Sequence, residues 1–248
     1  MDGRFAERRR AVRGERRRAR LRRTLIGATL VAIVIALAVI ERGPLVALEW
    51  VEVVGTVRLD PAEVRTAAGL EEGTSIVRLR LGAARERVVA LPLVRAADVS
   101  RTGVRSVRVL VEERQAVVEV RGGGVQRLVD REGVVIASGT DPTLTEVRLA
   151  DAPPAVGGRA SEVPALAAAM TVWRGVSGPV RADLERIEAL VEDDVVLLLV
   201  DGTRVRLGRA DRLDEKVRAL GAILEDVGDV PVAVIDLRSP TAPVVVPR

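Results

Sequence analysis

The chain has 248 residues and lacks cysteine, histidine and tyrosine, and its only aromatic residues are Phe5, Trp50 and Trp173. Without cysteine and histidine, disulfide bridges, thiol nucleophiles, the usual zinc sites and a Ser-His-Asp triad cannot be built. Two tryptophans outside the N-terminal tail are also too few for a surface on which sugars or bases stack. We therefore expect a protein that is not an enzyme and that uses no cofactor, metal ion, nucleic acid or small-molecule substrate.

Lysine is equally scarce, because Lys216 is the single one in the chain. A Ser-Lys dyad would need it, but no Ser-x-x-Lys motif precedes it. Aspartate and glutamate are numerous, yet no pair of carboxylates stands apart from ordinary surface residues. A membrane-tethered envelope enzyme that uses acid pairs is therefore kept only as a third hypothesis.

What the chain does contain is a long apolar segment, residues 24–40, without charge or proline. As a helix, its 17 residues would be roughly 26 Å long, close to the ~30 Å hydrocarbon core of a bilayer. We predict a transmembrane helix over residues 24–41. The alternative is a cleaved signal peptide, because Ala36-Leu37-Ala38 has the small-x-small pattern of a cleavage site. Against cleavage, the apolar run and the basic region ahead of it are both longer than usual in a signal peptide.

Positive charge is concentrated ahead of this segment. Residues 1–23 hold eleven arginines against Asp2, Glu7 and Glu15. Their net charge is +8, which leaves −4 for the rest of a chain whose total is +4. Arginine beside a membrane span holds that side in the cytoplasm, so we expect a cytoplasmic basic tail over residues 1–23 and an extracytoplasmic body. The arginine runs could otherwise indicate nucleic-acid binding, but topology and attraction to anionic lipid account for them.

Small residues recur within the apolar segment. Ala28, Ala32 and Ala36 lie four residues apart and so share one face of the predicted helix. Small side chains let a second membrane helix approach closely, and we predict transmembrane packing at these positions. The competing interpretation is that alanine is abundant throughout this chain and has no such role here.

After the apolar segment, the pattern predicts an α+β domain over residues 48–115. Two helices on one face of a small sheet follow from the order strand, helix, helix, strand, strand. The predicted elements are a strand near 49–54, helices from about Asp60 and Leu81, and strands near 94–101 and 104–111. Trp50 suits either the membrane interface or packing into the first strand, and residue spacing does not choose between them.

Residues 116–248 are predicted to form a mainly antiparallel β domain with flanking helices. Short alternating strands recur from residue 116 onwards, and helical patterns occupy residues 161–173 and 211–226. Asp201-Gly202 suits the positive φ angles of a two-residue hairpin turn.

The last two strands are predicted near residues 232–238 and 243–246. Pro240, Pro243 and Pro247 flank or enter the final strand. Because proline cannot donate a ladder hydrogen bond, we place this strand at a sheet edge. An edge strand offers backbone groups to which a strand of another protein can pair.

Seven stretches, taken in order, resemble the FtsQ/DivIB family of bacterial cell-division proteins over almost the whole chain. They are WVEVVG at 50–55, LPLVRAADVSR at 91–101, VLVEER at 109–114, VDREGV at 129–134, DGTRVRLG at 201–208, Lys216 and IDLR at 235–238. The chain departs from the family at Gln115 and at Thr102-Gly103, where the family usually has proline. The resemblance implies a cytoplasmic tail, one anchor, a POTRA domain and a β domain.

The resemblance also implies a role. Members of the family are non-catalytic scaffolds at the division septum that hold FtsB/DivIC-like and FtsL-like proteins, and their last β strands receive a segment of the FtsB-like partner. Carried over to this sequence, Arg238 would meet an acidic residue of the partner. The contact would also include Ser239, Thr241, Val244, Val245 and Val246. The competing interpretation is that these valines only close the sheet and that Arg238 is solvated.

Two further expectations follow. Asp130, Gly133, Gly202 and Lys216 match family markers, and we interpret them as mainly structural. The alternative function is a POTRA-type polypeptide translocation or assembly factor of the cell envelope. Such proteins usually continue into a long run of amphipathic strands, whereas this sequence runs to Arg248.

Overall fold

The computed structural model describes five segments of the chain, apart from the side chain of Pro179. The segments are residues 25–35, 47–76, 79–176, 178–228 and 230–248. They form two compact units. The first comprises the described parts of residues 1–54, 61–85 and 98–110, and the second comprises residues 55–60, 86–97 and the described parts of 111–248.

The observed elements follow the predicted order in the first half of the chain, where strand, helix, helix, strand, strand is confirmed. The helices are α1 (residues 25–35), α2 (Pro61–Ala68), α3 (Leu81–Val89), α4 (Pro164–Gly175), α5 (Gly178–Ala182) and α6 (Leu213–Val227), with a 3-10 turn at Ala160–Glu162. The strands are β1 (Trp50–Val54), β2 (Val94–Arg101), β3 (Ser106–Glu113), β4 (Ala116–Gly122), β5 (Val125–Asp130), β6 (Val135–Ser138), β7 (Thr145–Leu149), β8 (Leu184–Ala189), β9 (Val195–Leu199), β10 (Arg204–Gly208), β11 (Val232–Asp236) and β12 (Val244–Pro247).

Helix α1 covers the middle of the predicted membrane span. The tail at residues 1–23, Thr24 and residues 36–41 lie outside the described residues. Among the residues that the structure describes, no helix combines the length and the apolar character needed to cross a bilayer.

The smaller sheet has three strands in the order β1-β3-β2, and β1 runs parallel to β3. Apolar residues line its inner side because the strands alternate between faces and α2 is amphipathic. Within the first unit, the fully buried side chains include Val64 and Ala68 of α2 and Val107 and Val109 of β3.

The larger sheet has nine strands in the order β12-β11-β10-β9-β8-β7-β4-β5-β6. Five of its eight neighbouring pairs are antiparallel and three are parallel. The prediction of a mainly antiparallel sheet with helices is thus close, but the sheet is mixed. Strands β7 and β8 and helix α5 were not predicted.

Alternate residues of the nine-stranded sheet form one continuous core with α4 and α6. Six neighbouring strands each contribute a fully buried side chain, namely Val120, Val147, Ile187, Leu197, Val205 and Ile235. Helix α4 contributes Leu166, Met170 and Trp173 to the same cluster. The guanidinium carbon of Arg181 lies 4.1 Å from the centre of the Trp173 ring, a cation–π contact. The other face of the sheet carries mainly charged side chains.

Two local predictions were wrong. The β9–β10 connection has four residues, not two, because β9 ends at Leu199 and β10 begins at Arg204. The Asp201 carboxylate accepts hydrogen bonds from the backbone N–H and the hydroxyl of Thr203, at 2.8 and 2.7 Å, and this side-chain turn lengthens the loop. The helix predicted from residue 161 begins at Pro164, where proline suits the first helical position.

Lys216 is the largest fully buried side chain of the described chain, with 1% of its surface exposed. Its ammonium donates to the carbonyl oxygens of Leu207 and Arg209, at 2.9 and 2.8 Å, and to the Asp211 carboxylate at 2.9 Å. All three donors of the ammonium are therefore used. Lys216 holds the first turns of α6 against the end of β10, and its hydrogen bond lowers the pKa of Asp211.

We predict that Lys216→Met destabilises the fold by about 2 to 4 kcal/mol, because the buried carbonyl group of Leu207 and the half-buried one of Arg209 lose their donor. Equilibrium urea unfolding measures this change. Arg218→Met is the matched control, since Arg218 lies on the same helix but is exposed and donates to the Asp214 carbonyl. Equal midpoints for the two variants would contradict the structural role of Lys216.

Candidate functional site

Strand β12 forms one edge of the nine-stranded sheet and pairs antiparallel with β11. Val244 lies opposite Asp236, Val245 opposite Ile235, and Val246 opposite Val234. The three valines are 57%, 39% and 46% exposed, although residues of this type are usually buried. Because side chains alternate, Val245 points to the helix-covered face and Val244 and Val246 to the open face.

The backbone of β12 directs few donors outwards. The Arg248 N–H donates to the Pro231 carbonyl beside β11, at 3.1 Å. Backbone groups alternate in direction along a strand, so Val244 and Val246 direct theirs to β11, whereas Val245 directs its own away from the sheet. Pro243 and Pro247 have the same outward direction but no N–H. The free edge therefore offers one N–H, that of Val245, between outward carbonyl groups.

Arg238 lies just after β11 and forms a two-pronged contact with Asp236. Its Nε lies 3.0 Å from both carboxylate oxygens, and its Nη2 lies 2.6 Å from Oδ2. The side chain of Arg238 is nevertheless 57% exposed. Its hydrogen bonds lower the pKa of Asp236 despite the opposing effect of burial, and the charge of Arg206 adds to the lowering. Arg238 is thus oriented at the surface, not freely solvated.

The connection from β11 to β12 carries the other two predicted contact residues. Ser239 and Thr241 are exposed, and their hydroxyl oxygens lie 3.4 Å apart. The Ala242 N–H donates to the Ser239 carbonyl at 3.1 Å and closes a turn. The structure therefore places all six predicted contact residues on β12 and the segment that leads into it. Their role in binding stays a prediction.

A groove beside this edge was not predicted from the sequence. It lies on the open face of the sheet, has a volume of about 360 Å³ and is lined by Glu188, Leu190, Asp194, Val196, Arg204, Arg206 and Val234. Arg204 and Arg206 alternate with buried Val205 and Leu207. That alternation was the available signal, because it directs both guanidinium groups to the face without helices.

Comparisons with known proteins match both halves of the chain. Residues 46–114 match the model "POTRA domain, FtsQ-type", and residues 116–238 match "Cell division protein FtsQ/DivIB, C-terminal". The chain belongs to the FtsQ/DivIB family. Three curated relatives are called "Cell division protein FtsQ".

These relatives differ in how much of their length is matched. The Corynebacterium glutamicum protein is 27% identical over 82% of this chain and 90% of its own length. The Mycolicibacterium smegmatis protein is 32% identical over 82% of this chain and 58% of its own length. The Rhodothermus marinus protein is 31% identical over 71% of this chain and 67% of its own length.

Positions that match FtsQ/DivIB markers occupy turns and buried contacts. The Asp130 carboxylate is buried, accepts the N–H groups of Glu132 and Val134 at 3.0 and 2.8 Å, and pairs with Arg114. Gly133 in the same turn has a φ of 85°, which favours glycine. These contacts support the structural interpretation of both markers.

The predicted membrane-helix packing residues are only partly described. Ala28 and Ala32 lie on α1 and are exposed, whereas Ala36 lies outside the described residues. Their packing against another helix remains a prediction.

The Arg238–Asp236 contact makes a prediction about pH. Because the pKa of Asp236 is lowered in the folded state, the contact stabilises the fold above the unfolded-state pKa. This contribution is lost as pH falls through the folded-state pKa. In an NMR titration of the Asp236 carboxyl carbon, we expect Arg238→Ala to raise the pKa towards its ordinary value. Arg209→Ala is the control, and an unchanged titration in Arg238→Ala would contradict the assignment.

Proposed function

We propose that this FtsQ/DivIB family member is a non-catalytic scaffold of the bacterial divisome that supports septum formation. Residues 24–41 would anchor it in the cell membrane with a single pass, the N-terminus in the cytoplasm and the body outside. Its partners would be FtsB/DivIC-like and FtsL-like division proteins. Family membership and the arginine-rich tail ahead of the apolar segment support this proposal.

The observation that carries the proposal is the open edge at β12. Its exposed valines and the outward N–H of Val245 suit the addition of a partner strand. A partner strand would pair with the Val245 N–H and with the outward carbonyl groups. Val244 and Val246 would then be covered on the open face, which adds burial of apolar surface to the backbone pairing.

Arg238 can serve a partner while it stays paired with Asp236. A guanidinium has five N–H donors, and Asp236 engages Nε and Nη2. Among the described residues, the Nη1 group of Arg238 has no hydrogen-bond acceptor. An acidic residue of the partner could therefore bind to Nη1 at the rim of the added strand, with Asp236 holding the guanidinium in place.

Val245→Pro tests strand addition directly. The substitution removes the outward N–H but leaves the groups that bond to β11, so we expect it to abolish or strongly weaken capture of the FtsB/DivIC-like partner. Pull-down of that partner from solubilised membranes is the measurement. Val245→Thr is the matched control, because it retains both the N–H and a β-branched side chain. Circular dichroism should show both variants folded, and equal capture by both would defeat the proposal.

Arg238→Ala tests the charged contact. An exposed ion pair contributes up to about 1 kcal/mol, so we expect the Kd for the partner to rise by up to roughly fivefold. The rise should shrink at high salt. Arg148→Ala is the control, because Arg148 is also an exposed arginine in an ion pair, with Glu146 at 3.0 Å, but lies on β7, five strands from β12 in the sheet. Equal Kd values for the two variants would exclude Arg238 from the interface.

A further inference from the structure

The outer face of the three-stranded sheet carries apolar side chains that nothing described covers. Trp50 and Val54 of β1 are 73% and 39% exposed, and Leu110 of β3 is 51% exposed. Val104, in the connection that leads into β3, is 81% exposed. We call these four residues the Trp50 face. Tryptophan is usually well buried, so its exposure here indicates an interaction surface.

The register of β1 and β3 brings these residues onto one surface. Val54 pairs with Leu110, and Trp50 pairs with Ser106, two residues after Val104. Because β1 and β3 are parallel, Trp50 and Val104 lie at the same end of the sheet. The charges between them are neutralised, since Arg108 lies 2.8 Å from Glu52. Burying β1 and this part of β3 against an interfacial environment therefore keeps these two charges paired.

The distance to the apolar segment limits what this face can meet. The folded body begins at Ala47, which forms a β-bridge with Ser75. Leu48 is 2% exposed, and its N–H donates to the Thr74 carbonyl at 2.8 Å. Only residues 42–46 separate this body from the predicted span that ends at residue 41. Fully extended, that connection reaches about 20 Å, so the Trp50 end of the sheet stays close to the end of the span.

We propose that the Trp50 face lies in the headgroup region of the lipid bilayer, a proposal that rests on the membrane anchor of the proposed function. Tryptophan is enriched at this depth because its ring is apolar and its indole N–H donates to lipid oxygens. Among the described residues, the Trp50 indole N–H has no acceptor. The first unit thus binds the bilayer, in addition to the partner strand proposed for β12 of the second unit.

The chain contains its own reporter for this contact. Trp173 is buried in the core of the second unit, so a Trp173→Phe variant leaves Trp50 as the single tryptophan. We would reconstitute this full-length variant in vesicles of phosphatidylcholine and phosphatidylglycerol, with and without lipids brominated near the top of the acyl chain. We expect brominated lipid to quench the Trp50 emission, and the bilayer to protect it from aqueous iodide. A Trp50→Phe variant, which keeps Trp173, should show neither effect.

A matched pair of valines tests the rest of the face. Val104→Asp places a charge beside Trp50, and we expect it to reduce quenching by brominated lipid and to restore quenching by iodide. Val200→Asp is the control, because Val200 is also an exposed loop valine, at 68%, but belongs to the β9–β10 connection of the second unit. Equal quenching in both variants would remove Val104 from the contact.

The outcomes separate this inference from the membrane anchor. If the chain does not float with vesicles after an alkaline wash, the anchor itself fails, and the inference fails with it. If the chain floats but iodide quenches Trp50 fully and brominated lipid does not, the anchor stands and the lipid contact is wrong. A photoreactive group at Val104 that labels protein in native membranes, and not lipid, would likewise overturn the inference in favour of a protein partner.

Discussion

Burial on a single face is the constraint on which the nine-stranded sheet depends. Because α4 and α6 cover one face, each strand must keep its alternate apolar residues on that side, and a shift of one residue would expose them all. The constraint holds across both parallel and antiparallel pairs, from Val120 on β4 to Ile235 on β11. It also determines the composition of the other face, because the residues between those of the core point there.

A buried cation completes this arrangement where β10 ends. The carbonyl groups of Leu207 and Arg209 lie at the end of β10, close to the start of α6. A lysine with three donors satisfies both carbonyls and binds Asp211 as well. A hydrophobic residue of similar length could fill the space but could not donate the hydrogen bonds. Polar groups left without partners in the interior destabilise the fold. Position 216 therefore requires lysine for structural reasons.

Much of this fold could be predicted from the sequence, because many boundaries are local. Glycine, proline and alternating valines predict β1 to β3 and both helices between them. Strands β7 and β8 are different. Strand β7 lies between two parallel neighbours, β4 and β8, so no hairpin turn marks it. Strand β8 is parallel to β7 and antiparallel only to β9, the next strand in the chain. The β9–β10 loop was mispredicted because the Asp201 side chain competes with the backbone for the Thr203 N–H.

The candidate site was predictable in position but not in detail. Prolines near the C-terminus indicate an edge strand, and the edge is observed at β12. The contact between Arg238 and Asp236 could not be inferred, because it depends on how the chain turns after β11. The position of Trp50 was likewise open to two interpretations, packing into the first strand or exposure at a membrane interface. In the structure, its side chain is exposed. The face of a sheet to which a side chain points depends on how its strand pairs and packs in the folded protein. Residue spacing alone therefore does not show whether Trp50 is exposed.

Prolines on either side of the valines also bear on self-association. A bare edge strand can pair with its own copy and extend a sheet from molecule to molecule. Here Pro243 and Pro247, on either side of Val245, have no backbone N–H. The edge therefore offers too few hydrogen-bond donors to support the repeated addition of copies. A guest strand gains little from the backbone alone and must complement the side chains around it. The same prolines thereby discourage polymerisation of the chain along this edge.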